Sequence, residues 1–172
     1  MNPLHDLSVG NPPKEINIVI EIPKGSANKY EVDKESGLIF HDRTFYGSHV
    51  YPTDYGFVPQ THWHDGDPLD AMVMSTQAFL PGVVVPARPI GVIRMIDNGE
   101  RDEKLICVPA NDPRFAEYSD IADIAPHLLK EWQDFFETYK NLEGKKVSID
   151  KIEGREAAEA VVIEGLELYR QQ

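Results

Sequence analysis

The sequence predicts an α+β protein that is mainly β, a small β-barrel with two α-helices from the C-terminal half packed outside it. Three observations carry this expectation. Short segments rich in β-branched residues follow one another as far as Pro109 with no helix between them, which points to an antiparallel barrel or sandwich. Turn-forming runs such as "DKESG" and "DNGERDE" separate several of them. Long stretches of helical periodicity come only afterwards.

Taken in order, "INIVIEIP" (16–23) alternates β-branched with polar residues and reads as a strand. "NKYEVD" (28–33), "GLIFHD" (37–42), "DAMVMS" (70–75), "VVVPARPIGVIRMID" (83–97) and "KLICVP" (104–109) read likewise. In "PHLLKEWQDFFETYKNL" (126–142), Leu128, Trp132, Phe135, Phe136, Tyr139 and Leu142 share one helical face. Pro126 suits the first turn of this helix and Asp123 is placed to cap it. A second helix is expected over "REAAEAVVIEGLELYRQQ" (155–172). No repeat, low-complexity tract or linker divides the chain, so one domain over residues 1–172 is expected.

The 172 residues are enough to bury a real core, and their formal net charge is −12. Such a charge argues against binding nucleic acid or coating an anionic membrane, since both need a basic footprint. An anionic substrate remains compatible with it, provided that a few cations reverse the local field. The lone cysteine, Cys107, lies in an apolar run and reads as core, so no disulfide framework is implied. The longest apolar stretch, "AFLPGVVVPARPIGVIRMI", contains three prolines, two glycines and two arginines and does not suit a bilayer span. With no apolar signal core after Met1, a cytoplasmic protein is the expectation.

The stretch "WHDGDPLDAM" (63–72) places Asp65, Asp67 and Asp70 within six residues. An EF-hand loop beginning at Asp65 needs Gly at its sixth position and Glu at its twelfth, where this chain has Asp70 and Thr76. That reading fails. A solvated acidic turn is a fair account, because Asp, Gly and Pro are turn residues in their own right. The alternative is a magnesium site, since hard divalent cations take oxygen ligands and leave room for water and phosphate. Pro68 biases Asp67 toward an extended backbone, and a turn there swings Asp70 back toward Asp65. Asp97 and Asp102 flank a second turn, and a hairpin brings them together at one end of the barrel. Lys29, Glu31, Arg43, Tyr55, Lys104, Tyr139 and Lys140 recur around these acids, supplying cations and hydroxyls suited to phosphate oxygens.

With these residues in view, the chain resembles the family I soluble inorganic pyrophosphatases in their compact prokaryotic form. "DGDPLD" fits the family signature D-x-D-P-x-D. The likeness continues in order through "IEIP", "KYEVDKESG", "DR", "YP", "DYGF", "RPIGVIRMID", "DEKLICVP" and "FFETYKNLEGKK", about residues 16 to 147. It implies an OB-like five-stranded closed barrel flanked by two helices, and hydrolysis of pyrophosphate to two orthophosphates with several magnesium ions.

By the same resemblance, Asp65, Asp70 and Asp102 match metal ligands, and Asp97 joins Asp102 at a further metal. Asp67 matches the proposed general base. Lys29, Arg43, Tyr55, Lys104, Tyr139 and Lys140 match groups that touch pyrophosphate or the departing phosphate, and Glu21 and Glu31 match acids lining the cavity. A homohexamer of two stacked trimers is the implied assembly. The sequence departs from the commoner pattern at His62 and His64, at the "KGSAN" loop, and at Asp134 and Thr138. A rival reading, an OB-fold module for single-stranded nucleic acid, would need a basic groove, and the carboxylate-rich cluster opposes it.

Overall fold

A computed structural model describes residues 1–172. Ten strands form in chain order: β1 (Gly10–Asn11), β2 (Glu15–Ile22), β3 (Asn28–Val32), β4 (Ile39–Thr44), β5 (Asp54–Phe57), β6 (Asp70–Val73), β7 (Val84–Asp97), β8 (Glu100–Arg101), β9 (Lys104–Pro109) and β10 (Val147–Gly154). Two α-helices follow the barrel strands, α1 (Pro126–Thr138) and α2 (Arg155–Arg170).

The strands β2, β5, β6, β9 and β7 pair in that order, and β7 pairs back onto β2, which closes a five-stranded ring. Closure removes the exposed edges that an open sheet leaves. The expected barrel with two flanking helices is therefore present. Its seams are antiparallel except for β6 with β9, which run parallel, a departure from the all-antiparallel expectation. β3 and β4 form a separate hairpin beside the ring, and β10 extends β7 at its edge.

Two barrel-associated strands are absent from the sequence reading. β5, the "DYGF" segment, is four residues long and buried throughout, so it shows no polar–apolar alternation. Its Gly56 permits a close strand approach: a Cβ there would lie 1.9 Å from the Val19 carbonyl oxygen. β10 carries a register shift between Ile149 and Lys151 against β7, which breaks the period-two pattern of "VSIDKIEG" halfway along. Long β7 tolerates Pro89 because the ladder to β9 shifts register between Pro89 and Gly91.

Strand parity divides the core. One buried cluster, with Ile16, Ile18, Ala71, Val73, Leu105 and Cys107, packs against α2 through Val161, Val162 and Leu166. The other, with Tyr55, Met72, Ile93, Met95, Ile106 and Val108, packs against α1 through Trp132, Phe135 and Phe136. Asp70 alternates with Ala71, and Lys104 with Leu105, so both project on the α1 side.

Helix α1 ends earlier than the periodicity suggests. Its regular part stops at Thr138, and a 3-10 turn at Asn141–Glu143 closes on Gly144 in the left-handed region (φ 71°). Leu142 consequently leaves the apolar face and is 71% exposed. Asp123 does not cap α1, whose N-cap is Ala125 without a side-chain bond. It caps the preceding 3-10 turn, accepting from the backbone N–H groups of Ser119 and Asp120. No helix is long and apolar enough to cross a membrane.

Candidate active site

At the rim of the barrel on the α1 side lies a cavity of about 1000 Å³. Each wall comes from a different part of the chain. Glu21 comes from the end of β2, Lys29 and Glu31 from β3, Tyr55 from β5, and Asp65 and Asp67 from the turn before β6. Asp70 opens β6, Asp97 ends β7, Asp102 precedes β9, Lys104 opens β9, and Tyr139 and Lys140 follow α1. The tight hairpin after Asp97 turns on Asn98 (φ 50°) and Gly99 (φ 81°), which puts Asp102 back beside Met95.

Asp65, Asp70 and Asp102 each place a carboxylate oxygen within 4.8 Å of the others. The "DGDPLD" turn is thus more than a solvated surface turn. Its backbone is organised from within, with the Asp67 N–H donating to Asp65 Oδ1 at 3.0 Å. Asp97 stands apart from this trio and pairs with Lys140.

Lys104 is wedged among the acids. Its Nζ lies 2.6 Å from Asp70 Oδ2 and 2.5 Å from Asp102 Oδ1, and its side chain is 4% exposed. Burial opposes the Asp102 charge, but the Lys104 ammonium, the hydrogen bond from Asp65 and Lys140 together outweigh it and hold that carboxyl below its usual range. Asp70 is pushed upward by burial and by the Asp102 charge, despite Lys104. One lysine does not neutralise the cluster. Burial, aided by Asp70 and Asp102, pushes Asp65 up to about 7, and burial beside Asp70 pushes Glu21 up to about 8. Glu21 is also held in place by the Val32 N–H, at 2.7 Å.

An all-oxygen donor set whose acids resist ionising together suits a hard divalent cation, which supplies the missing positive charge. Two outcomes follow. Near pH 6, a divalent cation taken up by the trio is expected to displace a proton from Asp65, which calorimetry in buffers of different ionisation enthalpy would record as net proton release. The sign for stability comes from Glu21, whose carboxyl binds its proton more tightly folded than unfolded. This contribution is present below about pH 4.5 and is lost as pH rises through about 8. The melting temperature of the metal-free chain therefore falls between pH 6 and 8.5, and excess magnesium flattens the slope.

The cationic wall is only partly as expected. Lys29 is ion-paired with Glu31 and lies 3.7 Å from Asp42, and burial lowers its pKa. Arg43 does not line the cavity. Its guanidinium turns to Asp42 at 2.5 Å and to Glu143 at 2.9 Å, because the turn after α1 brings the buried Glu143 carboxylate alongside it. Residues absent from the sequence reading also line the cavity: Lys34, Tyr51, Lys145 and Lys146. Lys34 pairs with Asp67 at 2.6 Å and donates to the Gly66 carbonyl at 3.0 Å. Its position three residues past Glu31 was the available signal, obscured because "DKESG" reads as an ordinary turn.

Comparison with known proteins gives a consistent picture. A family model described as inorganic pyrophosphatase matches residues 18–170. Soluble inorganic pyrophosphatase 2 of Chlamydomonas reinhardtii is 48% identical over 171 residues, covering 99% of this chain and 89% of that protein. The inorganic pyrophosphatase of Picrophilus torridus is 46% identical over 160 residues, 93% of this chain and 90% of that one. The crystal structure of the Thermus thermophilus inorganic pyrophosphatase superposes with a TM-score of 0.95 at 43% identity, covering 99% of each chain.

Proposed function

The chain belongs to the inorganic pyrophosphatase family, and from that premise we propose that it hydrolyses inorganic pyrophosphate to two orthophosphates at this cavity. The observation that carries the reading is the convergence of Asp65, Asp70 and Asp102 beside a wall of lysines and tyrosines. Magnesium is the cofactor we assign to the carboxylate trio, and Asp97, which lines the same cavity, is assigned to a further ion as the family resemblance implies. When bound, the ions lower the pKa of the attacking water and neutralise phosphoryl oxygens.

Asp67 takes the proton from that water. Its side chain is 55% exposed, whereas those of Asp70 and Asp102 are 18% and 11% exposed, so it has the freest route for passing the proton to solvent. Lys29, Lys104 and Lys140 bind phosphoryl oxygens, with the Tyr55 and Tyr139 hydroxyls as neutral donors. Lys104 and Lys140 lie 5.7 Å and 5.3 Å from the Tyr55 and Tyr139 ring centroids, which keeps each pair on one wall. Arg43 reaches a phosphate only by leaving Glu143. Glu21 and Glu31 complete the acidic lining.

No covalent intermediate is required. A single turnover in ¹⁸O-enriched water puts one solvent oxygen into one of the two phosphates from each pyrophosphate. Solvent oxygen absent from the phosphates of the first turnover and present in an enzyme carboxylate would instead mean attack by that carboxylate, with water then cleaving the acyl phosphate at carbon. We further propose a cytoplasmic enzyme that self-associates, as the family resemblance implies a hexamer. Exposed Leu80, Val83 and Val84 supply apolar surface for such a contact.

A further inference from the structure

Glu103 lies between two residues of the site and faces away from it. Alternation along the strand sends Asp102 and Lys104 to the cavity and Glu103 to the other side of the sheet, where it is 3% exposed. There its carboxylate accepts from Trp63 Nε1 at 2.6 Å and from Arg101 Nε at 2.9 Å, with the Arg94 guanidinium at 3.5 Å.

Trp63, 1% exposed, opens the turn that carries Asp65. Its backbone N–H donates to the Asp67 carbonyl at 2.8 Å, and its own carbonyl accepts from the Gly66 N–H at 3.0 Å. The Arg101 guanidinium lies over the indole, 5.0 Å from its centroid, and reaches Glu164 of α2 at 3.1 Å. Glu164 also meets His64 Nε2 at 2.7 Å. His64 therefore belongs to this brace, which backs the acidic turn on the side away from the cavity.

We propose that Trp63 and Glu103 are positioning residues for the metal centre: their hydrogen bond fixes the turn carrying Asp65 against the segment carrying Asp102 into β9. This rests on the reading that Asp65, Asp70 and Asp102 hold magnesium. Three carboxylates drawn from two segments bind a cation well only if their spacing is set beforehand, because ordering a loose ligand opposes binding. The Trp63–Glu103 bond is buried and joins the two segments directly, so it carries that restraint.

The test is calorimetric titration of the metal-free chain with magnesium. Trp63→Phe removes the N–H donor and raises the dissociation constant about tenfold, the lower end of the effect expected when a ligand's support is lost. The rate at saturating magnesium stays close to that of the parent, since excess metal restores the arrangement. Glu103→Gln keeps an acceptor for the indole, at the cost of the Arg101 hydrogen bond, and retains most of the affinity. If the bond only supported the fold, metal-free and metal-loaded melting temperatures would fall equally at an unchanged dissociation constant, and the proposal would be wrong.

The unaltered chain offers a second reading that depends on no variant. By linkage, magnesium strengthens whatever strengthens its own binding. Hydrogen exchange at the Trp63 indole N–H therefore slows on metal addition more than at the buried Trp132. Equal slowing at both would contradict the coupling. A parent chain that bound no magnesium at all would overturn the metal assignment itself, a distinct result.

Discussion

Asp67→Asn lowers the maximal rate of pyrophosphate hydrolysis about 10²-fold or more while magnesium binding persists. Asn preserves shape and can still accept a hydrogen bond, but it cannot take a proton from water. Asp67 stands outside the trio whose oxygens converge within 4.8 Å, so its loss leaves that set whole. Lys34, 2.6 Å away, loses its ionic partner but is 59% exposed and remains solvated. Asp70→Asn behaves differently, because it removes a member of the trio and weakens metal binding. Steady-state rates together with calorimetric titrations separate the two variants. A rate retained in Asp67→Asn with only metal affinity lost would make Asp67 a ligand and leave the base elsewhere.

Lys104→Met destabilises the metal-free chain by about 3–5 kcal/mol, the usual result of removing one partner from a buried ion pair. Met matches the stem of the side chain but leaves Asp70 and Asp102 facing one another without the ammonium now 2.6 and 2.5 Å away. The sign follows from Lys104 itself, whose pKa is held well above normal by these carboxylates against the burial that lowers it. A group raised in this way contributes stability below its unfolded pKa, hence throughout the neutral range. Magnesium recovers part of the loss by supplying positive charge to the same acids. The rate stays low even when metal saturates, because a phosphate donor is gone. Denaturant unfolding with and without magnesium measures both parts, and an unchanged midpoint without metal would contradict the role given to Lys104.

Much of this was legible in the sequence, and what was not has identifiable physical causes. Strands with clear alternation or long apolar runs, such as β2 and β9, were readable because burial imposes a pattern on them. β5 was hidden by being short and buried on both sides, and β10 by the shift that moves its apolar positions out of phase. The acidic trio was legible because its members sit in two compact motifs, one in a turn and one beside a hairpin. The partners of Arg43 were not legible, since Glu143 reaches it through a turn whose geometry depends on where α1 ends. The brace behind the site was equally invisible: the local run "THWHDG" does not reveal that Trp63 meets a residue forty positions away. Long-range polar pairing leaves no periodicity.

Pyrophosphate hydrolysis at this cavity depends on divalent cations, which we assign to Asp65, Asp70 and Asp102. Phosphate release from pyrophosphate by the purified chain tests it most directly, with magnesium, with calcium, and after exhaustive chelation. Release is expected to be rapid with magnesium, slight with calcium, whose larger radius and looser coordination misplace the attacking water, and absent after chelation. Turnover that survived chelation, or equal turnover with calcium, would contradict it.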